Sequence, residues 1–165
     1  MNNSLLLYIL MVPSLFAILL LFIPESKKRY VQWTALVGSL ITLIVSLFVW
    51  FGYNKATGGF QYEFIAPWFS AIGSSFHFGV DGISLPMVLL TTILTPLAIL
   101  ASFGVKEKIK IYMALFLFLE TGVLGVFVSL DLLVFFLFWE IGLVPMYFLI
   151  AQWGGKNRNY ASLKF

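Results

Sequence analysis

The amino-acid sequence predicts an all-α membrane protein with five transmembrane helices. Of its 165 residues, 61% are hydrophobic and 10% are charged, whereas about a quarter of the residues of a soluble domain are charged. The chain therefore cannot cover itself with a polar surface. Five apolar runs of membrane-spanning length, and basic residues that cluster between alternate runs, point to the same class.

The apolar runs give the predicted order of the helices. A hydrocarbon core about 30 Å thick needs about 20 apolar residues in a helix. The predicted spans are residues 5–23, 31–53, 82–103, 111–129 and 132–153. The first run follows an N-terminus without Lys or Arg and is longer than the apolar core of a secretory signal, so we expect a retained helix. The last two runs are predicted to be separate helices joined by a tight turn, because together they are about twice as long as one span requires.

The basic residues predict the orientation in the membrane. Nine of the ten lie after the first, third and fifth spans, and only Lys55 lies on the opposite side. This asymmetry predicts an N-terminus outside and a cytoplasmic C-terminal tail. It is a topology pattern rather than a binding face, so the net charge of +3 indicates no nucleic-acid partner. The three clusters are Lys27, Lys28 and Arg29; Lys106, Lys108 and Lys110; and Lys156, Arg158 and Lys164.

The spans divide the chain into three parts: two N-terminal helices (1–53), an external aromatic-rich connection (54–81), and three further helices with a cytoplasmic tail (82–165). The aromatic residues of the connection predict a lid or hairpin at the level of the lipid headgroups. Asp81 is expected to cap the third helix. His77 is expected to be a half-buried histidine rather than a ligand.

The absence of cysteine and the single histidine exclude iron–sulfur ligation, zinc-finger sites and disulfides on this chain. Redox chemistry is therefore not expected here. Gly122, Gly125 and Ser129 form a stripe of small residues on the fourth helix, and such stripes allow helices to approach closely.

Two acidic residues lie inside predicted spans. Glu120 and Glu140 are each ten residues from Leu130, which places both carboxyls about 15 Å into the membrane, at matching depth on neighbouring antiparallel helices. A charged side chain at a helix centre costs on the order of 3 kcal/mol on insertion scales. Two interpretations remain: neutral carboxyls that hydrogen-bond a neighbouring helix, or carboxyls that exchange protons.

The surroundings of Glu140 favour proton exchange. Pro145 leaves the carbonyl of Ile141 without its helical partner, and Gly142 thins the helix at the same level. Tyr147 returns to the face of Glu140 after seven residues, so an acid, a free carbonyl and a phenol resemble the start of a hydrated proton path. None of the five predicted spans contains Lys or Arg, so a cationic partner must come from elsewhere. Asp131, in the turn before the fifth helix, is expected to cap that helix.

Three stretches resemble a known family: FHFGVDGISLPMVLLTTILTPLAILAS, FLETGVLGVFVSLDLLVFFLFWEIGLVPMYFLIAQWGG and NRNYASLKF. They are similar to the M-type antiporter-like membrane subunit of respiratory complex I, the proton-translocating NADH:quinone oxidoreductase. The segment FWE-x-x-L-x-PMYFLI is the specific part. The resemblance covers about residues 76–165, and the first 75 residues match only in hydropathy.

The resemblance implies roles for particular residues. In that family the glutamate of the FWE segment, on the fifth helix, pairs with a lysine on the seventh, and Glu140 matches this position. Glu120 and Asp131 match acidic positions of the same region. Members have about fourteen helices, so this chain is expected to be the N-terminal part of such a subunit. It stops at Phe165, where a sixth helix should begin, which predicts a fragment or a split gene product.

The resemblance also implies a setting. The chain would be a non-redox, proton-translocating subunit in the inner membrane of a bacterial cell, surrounded by lipid and by other membrane subunits, including neighbouring antiporter-like ones. No cofactor is expected on it; NADH, flavin, iron–sulfur clusters and quinone would belong to other subunits. Two alternatives stay open: a subunit of a multisubunit cation/proton antiporter or membrane-bound hydrogenase, and a passive structural membrane subunit.

Overall fold

The structure is a computed structural model that describes residues 4–69, 71, 73–105 and 107–165. Lys106, one of the predicted cytoplasmic basic residues, lies outside the described residues. The described residues form six α-helices and a two-stranded sheet. In chain order they are α1 (Leu5–Phe22), α2 (Lys28–Gly52), β1 (Gln61–Phe69), β2 (Ser74–Val80), α3 (Ser84–Ala101), α4 (Ile109–Val128), α5 (Leu132–Trp153) and α6 (Arg158–Lys164).

The five predicted spans are confirmed. Within the described residues, α1, α2, α3 with the 3-10 turn Ser102–Gly104 that follows it, α4 and α5 are long and apolar enough to cross a membrane. Helix α2 begins at Lys28, three residues before the predicted start, so basic side chains belong to its first turn. The predicted turn between α4 and α5 occupies residues 129–131.

Helix α4 is the central helix, and it packs against α1, α2, α3 and α5. Two clusters of buried apolar side chains lie along it, one near its C-terminal end and one near its N-terminal end. Helix α5, all of whose residues the structure describes, fully buries only Val134 and Pro145. Most of the surface of α5 therefore faces away from the rest of this chain.

The connection between α2 and α3 contains the hairpin that the aromatic residues predicted. Strands β1 and β2 are antiparallel, with Phe64 opposite Phe78. The hairpin is fixed to the turn between α4 and α5, because the Leu130 N–H donates to the His77 carbonyl at 2.8 Å and the Ser74 hydroxyl donates to the Asp131 carboxylate at 3.1 Å. This small sheet is the one addition to the helical fold among the described residues.

The two ends of the bundle differ in charge. The hairpin and the 129–131 turn lie at one end, whereas the basic segments meet at the other. There, Gln32 Nε2 donates to the Phe103 carbonyl at 2.9 Å, and Lys110 Nζ donates to the Leu21 carbonyl at 3.3 Å. The described basic residues of the three predicted clusters are thus grouped at one end, while the assignment of that end to the cytoplasm stays a prediction.

Candidate functional site

Asp131 begins α5. Its Oδ1 accepts hydrogen bonds from the N–H groups of Leu133 (2.9 Å) and Val134 (3.2 Å), so it is the N-cap that the sequence predicted. Its Oδ2 accepts the N–H of Ser75 at 3.1 Å, and this bond is the main reason that the pKa of Asp131 lies below its ordinary value. The carboxylate thus joins the hairpin to the start of α5.

Asp81 plays the corresponding part before α3. Its Oδ1 accepts the N–H groups of Ser84 (2.7 Å) and Ile83 (3.0 Å), while its own N–H donates to the Ser84 hydroxyl. The predicted cap is confirmed. His77 in β2 pairs with Glu63 in β1, with 2.9 Å between Nε2 and Oε2, and both side chains are partly exposed. The half-buried position predicted for His77 is confirmed.

Helices α4 and α5 come closest at two glycines. A Cβ atom added to Gly122 would lie 2.6 Å from the Cα atom of Gly142. Gly122, one residue of the small-residue stripe on α4, therefore acts as predicted, because it lets the two backbones touch. This contact also fixes which residues of the two helices share a level in the membrane.

Glu120 is enclosed in the bundle, with 2% of its surface exposed. The hydroxyl of Thr95, on α3, lies beside its carboxyl but donates to the carbonyl of Thr91 at 3.0 Å. As a result, neither carboxyl oxygen of Glu120 has a hydrogen-bond partner among the described residues. An ionised carboxylate without partners is costly in such a place.

Buried hydroxyl groups form two contacts between helices that were not predicted. Ser14 on α1 and Thr121 on α4 share a hydrogen bond of 2.9 Å, and Ser46 on α2 and Thr92 on α3 share one of 2.7 Å. A signal was available for the second pair. Ser39, Thr42 and Ser46 recur at helical spacing on α2, and all three are buried.

Glu140 lies on the outer surface of α5 and is exposed in this chain. It forms no hydrogen bond or ion pair with any residue in the described ranges. Tyr147 follows on the same face of the helix, at 37% exposure, whereas Pro145 is buried. Helix α5 continues through Pro145 without interruption. The partner of Glu140 would therefore have to approach this face from outside the described chain.

The expectation that the two acids lie at matching depth is wrong. Because Gly122 lies beside Gly142 and the helices are antiparallel, Glu140 is at the same level in the membrane as Leu124. Leu124 is four residues from Glu120 on α4, so the two acids differ in depth by about 6 Å, at about 1.5 Å per residue. Each acid also precedes its glycine by two residues, which turns it about 200° away from the contact. Counting from Leu130 could not reveal this, because depth alone does not determine the direction of a side chain.

Five membrane-spanning helices with one carboxyl enclosed between them and a second on an open helix face define a multi-pass membrane protein that carries ionisable groups inside the bilayer. Comparison with known proteins specifies the family. The model of the amino terminus of NADH-ubiquinone oxidoreductase chain 4 matches residues 6–130, and the model of the NADH:quinone oxidoreductase/Mrp antiporter transmembrane region matches residues 129–165. The chain belongs to the chain 4 (subunit M) family of NADH:quinone oxidoreductase.

Curated relatives agree with this assignment. The chain is 44% identical over 152 residues to NADH-quinone oxidoreductase subunit M of Rickettsia conorii, covering 89% of this chain and 31% of the relative. It is 40% identical over 158 residues to the chloroplastic NAD(P)H-quinone oxidoreductase chain 4 of Mesostigma viride, and this match covers 95% of this chain and 31% of the relative. The chain thus spans about a third of the length of these relatives. The family likeness also covers most of the first 75 residues, which were predicted to match only in hydropathy.

Solved structures share the fold. A chain of respiratory complex I from Thermus thermophilus with bound NADH is 27% identical, with a TM-score of 0.79 over 98% of this chain and 31% of that chain. A chain of an archaeal membrane-bound sulfane sulfur reductase has a TM-score of 0.75 at 23% identity, covering 94% of this chain and 24% of that chain, a likeness of fold alone.

Proposed function

We propose that this chain forms the N-terminal spans of a proton-translocating subunit of NADH:quinone oxidoreductase. Quinone reduction elsewhere in the complex would drive proton transfer through Glu140, with Glu120 as a second proton site. The observation that carries the proposal is the position of Glu140 in the middle of α5, on a face that the described chain leaves open. The family and the names of the relatives support the reaction.

The chemistry of Glu140 would depend on its neighbours in the assembled subunit. A carboxyl covered by another helix and kept from water favours its protonated form, because desolvation opposes charge. A cation that approaches the carboxyl favours the ionised form and releases the proton. When the cation withdraws, the carboxyl takes up another proton. No predicted span of this chain contains Lys or Arg, so the cation would belong to another part of the subunit.

Three further residues would support this step. Tyr147 lies on the same face of α5 and could pass a proton through its phenol. Pro145 leaves the Ile141 carbonyl free to accept a hydrogen bond from water. Asp131 holds the N-terminus of α5 and so fixes the position of the helix that carries Glu140.

Glu120 would act separately from Glu140, because α4 and α5 lie between the two carboxyls. Its enclosure and its lack of partners among the described residues suit a group that holds a proton inside the bundle. The adjacent Thr95 hydroxyl could turn toward it when the acid ionises.

The setting follows from the same proposal. The chain would lie in the inner membrane of a bacterial cell, with its N-terminus outside and its basic end in the cytoplasm. Its partners would be lipid and the other membrane subunits of the complex, including neighbouring antiporter-like ones. The redox cofactors (NADH, flavin, iron–sulfur clusters and quinone) would reside on other subunits.

The conservative substitution Glu140→Gln tests the proposal in the membrane complex that contains this chain. We expect the variant to assemble, as judged by native gel electrophoresis, and to lose most NADH-driven proton uptake into inverted membrane vesicles. The amide keeps the size and hydrogen-bonding capacity of the side chain but cannot release a proton. Glu107→Gln, outside the spans, is the control and should pump normally. Normal pumping by Glu140→Gln would refute the proton role.

A cation/proton antiporter subunit is the second candidate. It is favoured by the family model at residues 129–165, whose description names both NADH:quinone oxidoreductases and Mrp antiporters. In that case a sodium gradient, rather than NADH, would drive proton movement in the same vesicles. A membrane-bound hydrogenase subunit would respond to neither, and a passive structural subunit would tolerate Glu140→Gln in every assay.

A further inference from the structure

A cleft lies at the basic end of the bundle, between the first turns of α2 and the segment that joins α3 to α4. It has a volume of about 430 Å³ and is lined by Lys28, Arg29, Gln32, Trp33, Phe103, Val105 and Ile109. A second cleft of about 380 Å³ lies beside it and is lined by Arg29, Tyr30 and Trp33. Arg29 and Trp33 therefore stand between two clefts.

The frame of the first cleft is built by defined contacts. The side-chain amide of Gln32 donates to the carbonyl of Phe103 at 2.9 Å, which joins α2 to the end of α3. The rings of Trp33 and Phe103 meet edge to face, with 6.2 Å between their centroids. The cleft is thus lined by two aromatic rings, Trp33 and Phe103, and by the basic residues Lys28 and Arg29.

Arg29 is available to a ligand. It is exposed and forms no hydrogen bond or ion pair with any residue that the structure describes. The segments at this end of the bundle contain two acidic residues, Glu25 and Glu107, and nine basic ones, so their net charge is positive. A guanidinium binds phosphate oxygens through two parallel hydrogen bonds.

The outer face of α2 continues from Arg29 into the membrane. At helical spacing it presents first Arg29, then Trp33, and then a row of exposed aliphatic and aromatic side chains. These are Val37, Leu40, Ile44 and Phe48, which are 40–66% exposed. This order matches that of a phospholipid. Arg29 lies at the level of the phosphate, Trp33 at the level of the glycerol, and the apolar stripe at the level of the acyl chains.

We propose that this cleft is a binding site for an anionic phospholipid. Its headgroup phosphate pairs with Arg29, the glycerol region lies against Trp33 and Phe103, and an acyl chain follows the outer stripe of α2. Basic pockets between helices at a membrane surface suit anionic headgroups, and each basic residue near such a surface contributes about 1 kcal/mol. The proposal rests on the membrane span and is independent of proton transfer.

The test uses photoactivatable phosphatidylglycerol and phosphatidylcholine, each with a diazirine in its acyl chain. They are reconstituted separately into vesicles of phosphatidylcholine with the purified full-length chain and the subunits that accompany it. Mass spectrometry then gives the yield of lipid adducts on α2. We expect phosphatidylglycerol to label the outer stripe of α2 about fivefold more than phosphatidylcholine, as one basic contact predicts.

Arg29→Gln should remove the preference for phosphatidylglycerol, whereas Arg29→Lys, which keeps the charge, should retain part of it. Lys156→Gln removes the same charge at the same end of the bundle, away from the cleft, and should keep the preference. Equal labelling by the two lipids, equal effects of Arg29→Gln and Lys156→Gln, or adducts to another protein at this face would each overturn the proposal. Loss of the preference in excess inorganic phosphate would assign the cleft to free phosphate instead.

Discussion

Gly122 and Gly142 touch through their backbones, and the contact is asymmetric. A Cβ atom on Gly122 would lie 2.6 Å from the Cα of Gly142, whereas a Cβ atom on Gly142 would lie 3.8 Å from the Cα of Gly122. The first distance is impossible without movement of a helix, and the second is an ordinary van der Waals contact. The close approach of α4 and α5 therefore depends on one glycine of the pair.

We predict that Gly122→Ala destabilises the protein by about 1–3 kcal/mol, the usual cost of overpacking, because α5 must move away from α4. Gly142→Ala is the matched control and should be close to neutral, since its methyl group has room and alanine favours the helix. Unfolding in mixed detergent micelles, followed by circular dichroism, measures both. Equal stabilities of the two variants would show that the helices do not meet at this point.

The Asp131 carboxylate is predicted to stabilise the hairpin and the start of α5 over a defined range of pH. Hydrogen bonds from the Ser75 N–H and other donors lower its pKa in the folded protein. A lowered pKa means that the stabilisation is complete above 3.8, the ordinary aspartate value, and is lost as the pH falls through the lowered pKa.

Hydrogen exchange at the amides of Ser75 and Val134 checks this prediction. Asp131→Ala should speed exchange at both amides at neutral pH, because both lose their acceptor. Asp131→Asn keeps a side-chain acceptor for the cap and should show a smaller effect that does not change with pH in the acid range. Unchanged protection in Asp131→Ala would mean that the hairpin is held by its other contacts.

Much of the fold could be predicted because its signals are local. Hydropathy gives the five spans, and the caps at Asp81 and Asp131 depend on N–H groups two and three residues away. The hairpin was expected from its aromatic residues. Its attachment through Leu130 and His77 was not, because that bond joins residues distant in sequence.

The site was only partly predictable for the same reason. Glu120 and Glu140 stand out as acids in apolar runs, but their directions depend on where α4 and α5 touch. Gly122 was predicted to allow close packing and Gly142 only to thin α5 near Glu140, and pairing them with each other requires the register of the two helices. Once that register is known, the direction of each acid follows. Each lies two residues before its glycine, a rotation of about 200° around the helix, and so points away from the interface.

The orientation in the membrane can be tested directly, because the chain has no native cysteine. Ala56→Cys lies in the exposed connection before β1, and Lys156→Cys lies in the exposed segment after α5. In intact cells a membrane-impermeant maleimide should label Ala56→Cys, and it should label Lys156→Cys only after permeabilisation. The reverse pattern would overturn the orientation that the basic clusters predict.

Glu120 separates a proton-carrying role from a structural one. Its carboxyl has no hydrogen-bond partner in the described ranges, so the apolar substitution Glu120→Leu removes a buried polar group without leaving another one unpaired. We expect the free energy of unfolding to stay the same or to rise. Thr121→Val is the structural comparison. It removes the 2.9 Å bond to Ser14 and should cost about 0.6 kcal/mol, the average for such bonds between membrane helices.

The variant that is expected to keep its stability, Glu120→Leu, should be the one that loses proton uptake. If Glu120 exchanges protons, Glu120→Leu assembles normally and lowers NADH-driven proton uptake, whereas Thr121→Val pumps at the normal rate. If Glu120 only holds the helices together, Glu120→Leu is the less stable of the two and any loss of pumping follows its loss of assembly. Measuring unfolding and proton uptake on the same preparations distinguishes these outcomes, because a carboxyl without partners can be removed at little structural cost and still be needed for proton transfer.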